Sequence, residues 1–86
     1  MTQYEVIVAA SASREIEDLP RSVARRVYER LEALASEPRP HGVKKLKGER
    51  ELWRIRVGDY RVVYAIDDDT RTIDVVRARH RSKVYR

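Results

Sequence analysis

The segment from Trp53 to Tyr64, W-R-I-R-V-G-D-Y-R-V-V-Y, admits few local structures. Trp53, Ile55 and Val57 alternate with Arg54 and Arg56, and a strand places successive side chains on opposite faces. Gly58-Asp59 is a two-residue turn signal, beyond which Tyr60, Val62, Tyr64 and Ile66 resume the alternation. With those two residues as the loop, Val57 faces Tyr60 and Arg56 faces Arg61. Arg54, Arg56 and Arg61 then share one face of a hairpin, where three guanidiniums repel one another until an anion joins them. That face is a candidate phosphate site.

Whether the rest of the chain supports a polyanion-facing surface is a question of charge distribution. The 86 residues carry 19 Lys and Arg against 14 Asp and Glu, a net charge of +5. Residues 1–37 hold five basic and seven acidic side chains, and residues 38–86 hold fourteen basic and seven acidic. A strongly basic half following an ordinary helical half points to nucleic acid or the ribosome as partner, with an acidic protein as the second choice. No cysteine is present, which removes disulfides and thiolate zinc sites from consideration. No signal-peptide pattern or membrane-length apolar run occurs, so the expectation is a soluble, unprocessed, cytoplasmic protein with no membrane partner. The length suits a single domain, 1–86, with one modest core.

Along the chain, residues 3–9 read as a strand with Tyr4, Val6 and Val8 on one side. Ser11 is placed to cap a short helix ending near Leu19, and Pro20 suits the first position of a second helix, where no amide donor is needed. Val23, Ala24, Val27, Tyr28, Leu31, Leu34 and Ala35 form one helical stripe, closed by Glu37-Pro38-Arg39-Pro40-His41-Gly42. Residues 43–50 read as an irregular basic segment anchored by Leu46, and Thr72 to Arg79 as the last strand. The order β-α-α-β-β-β implies an α+β fold, a twisted antiparallel sheet with two N-terminal helices covering one face. The hairpin arginines belong on the other face, because Trp53, Ile55, Tyr60, Val62 and Tyr64 are needed beneath the helices. Tyr4 and Tyr28 are expected to pack, and Asp67 to Asp69 to form a turn.

These features together resemble the RelE/ParE superfamily, the toxins of type II toxin–antitoxin pairs. The resemblance rests on the strand-helix-helix opening, Leu19-Pro20, Leu46-Lys47-Gly48, the G-D-Y-R-V-V-Y run and the terminal R-A-R-H-R-S-K-V-Y from Arg77 to Tyr85. It implies the RelE-like fold described above. RelE members are similar in cutting messenger RNA at the ribosomal A site without a metal, whereas ParE members keep the scaffold and act on DNA gyrase. By resemblance, the catalytic set is Arg54, Arg56, Arg61, Arg79 and Tyr85, and its completeness favours the RelE reading. Positions 54 and 56 are often lysine in the best-studied type; here both are arginine. The implied partners are a cognate antitoxin, in a hetero-oligomer, and the ribosome with its messenger and ribosomal RNA.

Metal-free RNA cleavage requires proton removal from the 2′-hydroxyl, stabilisation of the phosphorane and protonation of the 5′-oxygen. Guanidiniums bind phosphate oxygens bidentately and stay charged, so Arg56 and Arg61 suit the second task and position 54 is a poor proton acceptor. Tyr85, a phenol among cations, is one candidate base, and His80 is another because histidine titrates near neutrality. Lys44, Lys45, Lys47 and Arg50, with His80, Arg81 and Lys83 of the tail, are candidates to follow an RNA backbone; the lysine segment reads equally as a solvated loop. A two-residue Asp69-Thr70 turn would set Arg61 opposite Ala78 and put His80 on the open face, whereas a one-residue bulge would bring Arg79 there. The resemblance favours Arg79. No Gly-rich phosphate loop, metal-ligand spacing or Ser-His-Asp set is present, so neither cofactor nor metal is expected. The competing reading is a binding module without nuclease activity, either a gyrase inhibitor or an inactive toxin fold.

Overall fold

The computed structural model describes residues 3–48 and 51–82. Its element order is β1 (Glu5–Val8), α1 (Ala10–Glu17), α2 (Arg21–Leu34), β2 (Lys44–Leu46), β3 (Leu52–Val57), β4 (Tyr60–Asp67) and β5 (Thr72–His80). The five strands form one sheet in the order β1-β5-β4-β3-β2. The expected α+β architecture is present, with two helices on one face of a largely antiparallel sheet. β1 adds to it in parallel, pairing Glu5 to Val8 with Thr72 to Val75. The basic segment after the helices is more regular than its sequence implies. Lys44, Lys45 and Leu46 pair with Arg54, Trp53 and Leu52 as an edge strand, because β3 offers free ladder groups on that side.

The helices form where periodicity places them, with different ends. α1 begins two residues earlier than a Ser11 cap would require; Ala9 occupies the cap position and makes no side-chain cap bond. The start is fixed from outside the helix, since Ala9 N–H donates to Val75 O at 2.9 Å. Pro20 sits at the N-cap of α2 instead of its first turn, and its carbonyl accepts from Ala24 N–H. Ala12 and Ile16 of α1 and Val27, Leu31 and Leu34 of α2 pack against Ile55, Val57, Val62, Tyr64, Ile73, Val75 and Ala78. Tyr28 does not join them: it is 44% exposed, at the margin of the helical stripe.

The loops are tied down by polar contacts. Asp68 accepts from Tyr4 Oη at 2.7 Å and from both Nη groups of Arg39. The expected acidic turn therefore also joins the first strand to the loop after α2. That carboxyl is held below its ordinary range by the Arg39 hydrogen bond and then by that of Tyr4. Arg39 also lies 5.0 Å from the centre of the Trp53 ring, and Tyr64 Oη donates to Pro38 O at 2.8 Å.

Candidate anion site on the open sheet face

The hairpin forms in the register its sequence implies. Val57 pairs with Tyr60 and Arg56 with Arg61. Gly58 takes φ 61° at the first loop position, which a tight turn of the II′ kind demands and glycine meets without a Cβ clash.

The β4–β5 ladder changes register once. Tyr64 pairs with Val75, but Val63 pairs with Arg77, leaving Val76 as the extra residue of a bulge. From there onward Arg61 faces Arg79, and His80 faces Tyr60. His80 thus lies on the helix side of the sheet. Its ring meets Tyr60 edge-on at 5.4 Å and its Nδ1 is 3.1 Å from Ser82 Oγ.

Two rows of side chains result on the open face. One row runs Arg56, Arg61, Arg79 across β3, β4 and β5. The next runs Lys44, Arg54, Val63, Arg77 across β2 to β5. Arg77 was not singled out in the sequence, although a period of two from Arg79 reaches it. Val63 is buried beneath this cationic cover, consistent with arginine stems lying over apolar surface. Lys45 alternates to the opposite side, where it pairs with Glu51 at 3.1 Å and approaches the Trp53 ring, so it leaves the basic rows. Lys47 is exposed beyond β2. Arg50, Lys83 and Tyr85 lie outside the described residues.

Arg61 is the centre of the arrangement. It is 7% exposed, and among the described residues its Nε and Nη1 have no hydrogen-bond partner. Burial pushes its guanidinium below the ordinary value; the charges of Arg56, Arg54 and Arg81 act the same way, and Asp59 opposes them. A buried cation with unmet donors, surrounded by further cations, is costly unless an anion completes it. Arg81 N–H donates to Asp59 O at 2.8 Å, which fixes the start of the tail against the hairpin tip. On the flank of β3, past the end of β2, Arg30 Nη1 of α2 donates to Arg56 O at 3.1 Å. Helix α2 thereby closes the free edge next to the arginine row.

The family model described as the ParE toxin of the type II toxin–antitoxin system parDE matches residues 6–85. The chain belongs to the RelE/ParE superfamily. The toxin RelE of Mycobacterium tuberculosis is 38% identical over 85 residues, which span 96% of this chain and 87% of that protein. The putative toxin RelE1 of Methanocaldococcus jannaschii is 30% identical over 98% of this chain and 97% of its own length. In three dimensions the chain superposes on the RelE–RelB complex of the archaeon Pyrococcus horikoshii with a TM-score of 0.84 at 30% identity, covering 96% of this chain and 100% of that one. The chain is therefore a type II toxin of the RelE family. In this RelE-type toxin the arginine rows occupy the sheet face left open by the helices.

Proposed function

We propose that this toxin is an endoribonuclease that cuts messenger RNA in the ribosomal A site and is silenced by a cognate antitoxin. The observation that carries the reading is Arg61, a buried guanidinium with unmet donors at the centre of a row of arginines. A single phosphodiester fits that demand. The RNA supplies its own nucleophile, the 2′-hydroxyl, so the protein's task is to hold the phosphate and favour the charge that develops on it.

In this reading Arg61 and Arg56 take the non-bridging oxygens, where preorganised charge acts most strongly on the phosphorane. Arg79, on the strand opposite Arg61, is assigned to the leaving 5′-oxygen, which takes a proton from solvent as its bond to phosphorus breaks and a 2′,3′-cyclic phosphate is left. Arg54, Arg77 and Lys44 follow the neighbouring phosphates, which adds affinity and salt dependence. Proton removal from the 2′-hydroxyl is assigned to Tyr85, because His80 is turned to the other side of the sheet and arginine holds its proton. The chemistry uses no cofactor and no metal. The partner reading draws on the Pyrococcus horikoshii relative, whose structure is a RelE–RelB complex. Here the antitoxin holds the toxin in a cytoplasmic hetero-oligomer until it is removed.

The deciding experiment maps messenger RNA 5′ ends during tightly controlled induction, with Arg61→Ala and Tyr85→Phe as controls. Cuts at A-site positions that vanish with Arg61→Ala support the proposal. Intact messages accompanied by gyrase-linked DNA breaks would overturn it in favour of ParE-like action.

A further inference from the structure

The arginine row is anchored at one end by a carboxylate from the helix layer. β1 stops pairing with β5 at Val75, and from that point the outer edge of β5 faces α1. Glu15 of α1 fills this edge with both its oxygens. Oε1 accepts the Ala78 N–H at 2.9 Å, a ladder donor that β1 no longer serves. Oε2 accepts the Nε–H of Arg79. Arg79 is thereby fastened near its stem while its two Nη groups remain at the outer end of the guanidinium.

We propose that Glu15 is a positioning residue that presets Arg79 for a phosphate on the arginine row. This rests on the nuclease reading above for its consequence, though not for its geometry. A guanidinium has five donors in a fixed fork, and a bond at Nε fixes the plane of the group without using the two Nη groups that grip a phosphate. The backbone bond to Ala78 matters equally, because it ties the carboxylate to the strand that carries Arg79. A residue merely protecting the sheet edge would need only Oε1. A residue merely neutralising charge would have no reason to bind the strand backbone. Glu15 does both, from a helix whose start is itself fastened to β5 through Ala9 and Val75.

The test has two parts, both on the full chain. In the first, 15N-labelled toxin is observed at its arginine Nε–H resonances, with Arg79→Lys identifying the Arg79 signal. The expected result is a slowly exchanging, displaced Arg79 signal that moves to the position of exposed arginines in both Glu15→Gln and Glu15→Ala. An Arg79 signal already at the exposed position, or unmoved by both variants, overturns the proposal. The second part measures single-turnover cleavage on programmed ribosomes at saturating and limiting toxin. Glu15→Ala should slow the saturated step by about ten- to a hundredfold, with the half-saturating toxin concentration little changed. Glu15→Ala combined with Arg79→Ala should be no slower than Arg79→Ala alone, since two residues acting through one guanidinium do not add. Multiplying losses would mean that Glu15 acts through the fold, and would overturn the proposal. If the unaltered toxin does not cut RNA, the nuclease reading falls and the Glu15–Arg79 clamp is decided by the resonances alone.

Discussion

Arg61 and Arg79 stand directly opposite each other on adjacent strands, and the extra residue Val76 is what aligns them. Like charges at directly opposed positions destabilise a sheet. The Glu15 carboxylate, which accepts from Arg79 Nε–H, offsets part of that cost, so the bulge sets two arginines opposite each other with one of them ion-paired.

An anion that bridges the pair should stabilise the fold. Inorganic phosphate at tenfold excess over its dissociation constant is worth about 1.4 kcal/mol by mass action, a Tm rise of about 5–10 °C for a domain of this size. Thermal melts in phosphate and in chloride at matched ionic strength measure it. Equal Tm values in the two salts would remove the case for a phosphate site.

Replacing Arg61 should separate stability from activity. Arg61→Met keeps a long side chain and removes a buried charge with two unmet donors, so the free chain should gain on the order of 1 kcal/mol. Its phosphate-dependent Tm rise should disappear, and cleavage should fall by about 10²- to 10³-fold, the cost of one preorganised donor in comparable sites. Urea unfolding and single-turnover cleavage on the same preparation decide both halves.

The hairpin tip makes a backbone prediction. Gly58 holds φ 61°, and a Cβ there would meet only the Nη atoms of Arg26, at 3.8 and 3.9 Å. The cost of Gly58→Ala therefore comes from conformation and not from crowding, at about 1–2 kcal/mol. Gly58→Asn should cost a similar amount, because the first position of a II′ turn lies outside the left-handed helical region that asparagine tolerates. A loss for Gly58→Asn in urea unfolding well below that of Gly58→Ala would point to a turn of the I′ kind.

Tyr64 makes a prediction at high pH. It is fully buried, and burial pushes its phenol up to about 12 while its Oη donates to Pro38 O. An unfolded tyrosine loses its proton near pH 10, so between about pH 10 and 12 the unfolded state binds fewer protons and stability falls with rising pH. Absorbance titration near 295 nm should show one tyrosine ionising late, together with unfolding. Tyr64→Phe should remove that late component and flatten the alkaline fall, while losing about 1 kcal/mol at neutral pH with the Pro38 bond.

Much of the candidate site is legible in the residues before any coordinates. Gly58-Asp59 sets the hairpin register, so the shared face of Arg54, Arg56 and Arg61 follows from side-chain alternation alone. The second helix is equally plain from its stripe. What escapes has physical causes. Two adjacent valines fit a regular ladder and a bulged one equally, so nothing in the sequence says that an extra residue is there, and the register of Arg79 against His80 hangs on its presence. The strand Lys44–Leu46 is too short and too basic to show a period. The Glu15–Arg79 contact spans 64 positions, and no local pattern predicts it. The burial of Arg61 is invisible for the same reason: alternation assigns a face, but the depth of that face depends on what the neighbouring strands place beside it.

The parallel pairing of β1 with β5 has a consequence for how the molecule comes into being. The first strand made is bonded to the last, through contacts such as Val6 with Ile73. Those contacts lie far apart in sequence, so they close late and slowly. While the chain is being synthesised, α1 and α2 have no finished sheet to rest on, and β1 has no neighbour. Arg79 and the edge that Glu15 grips lie on β5, the last described strand to be made. A growing chain thus carries its early arginines without the row that gives them a use. The arginine face is thus complete only once β5 has been made.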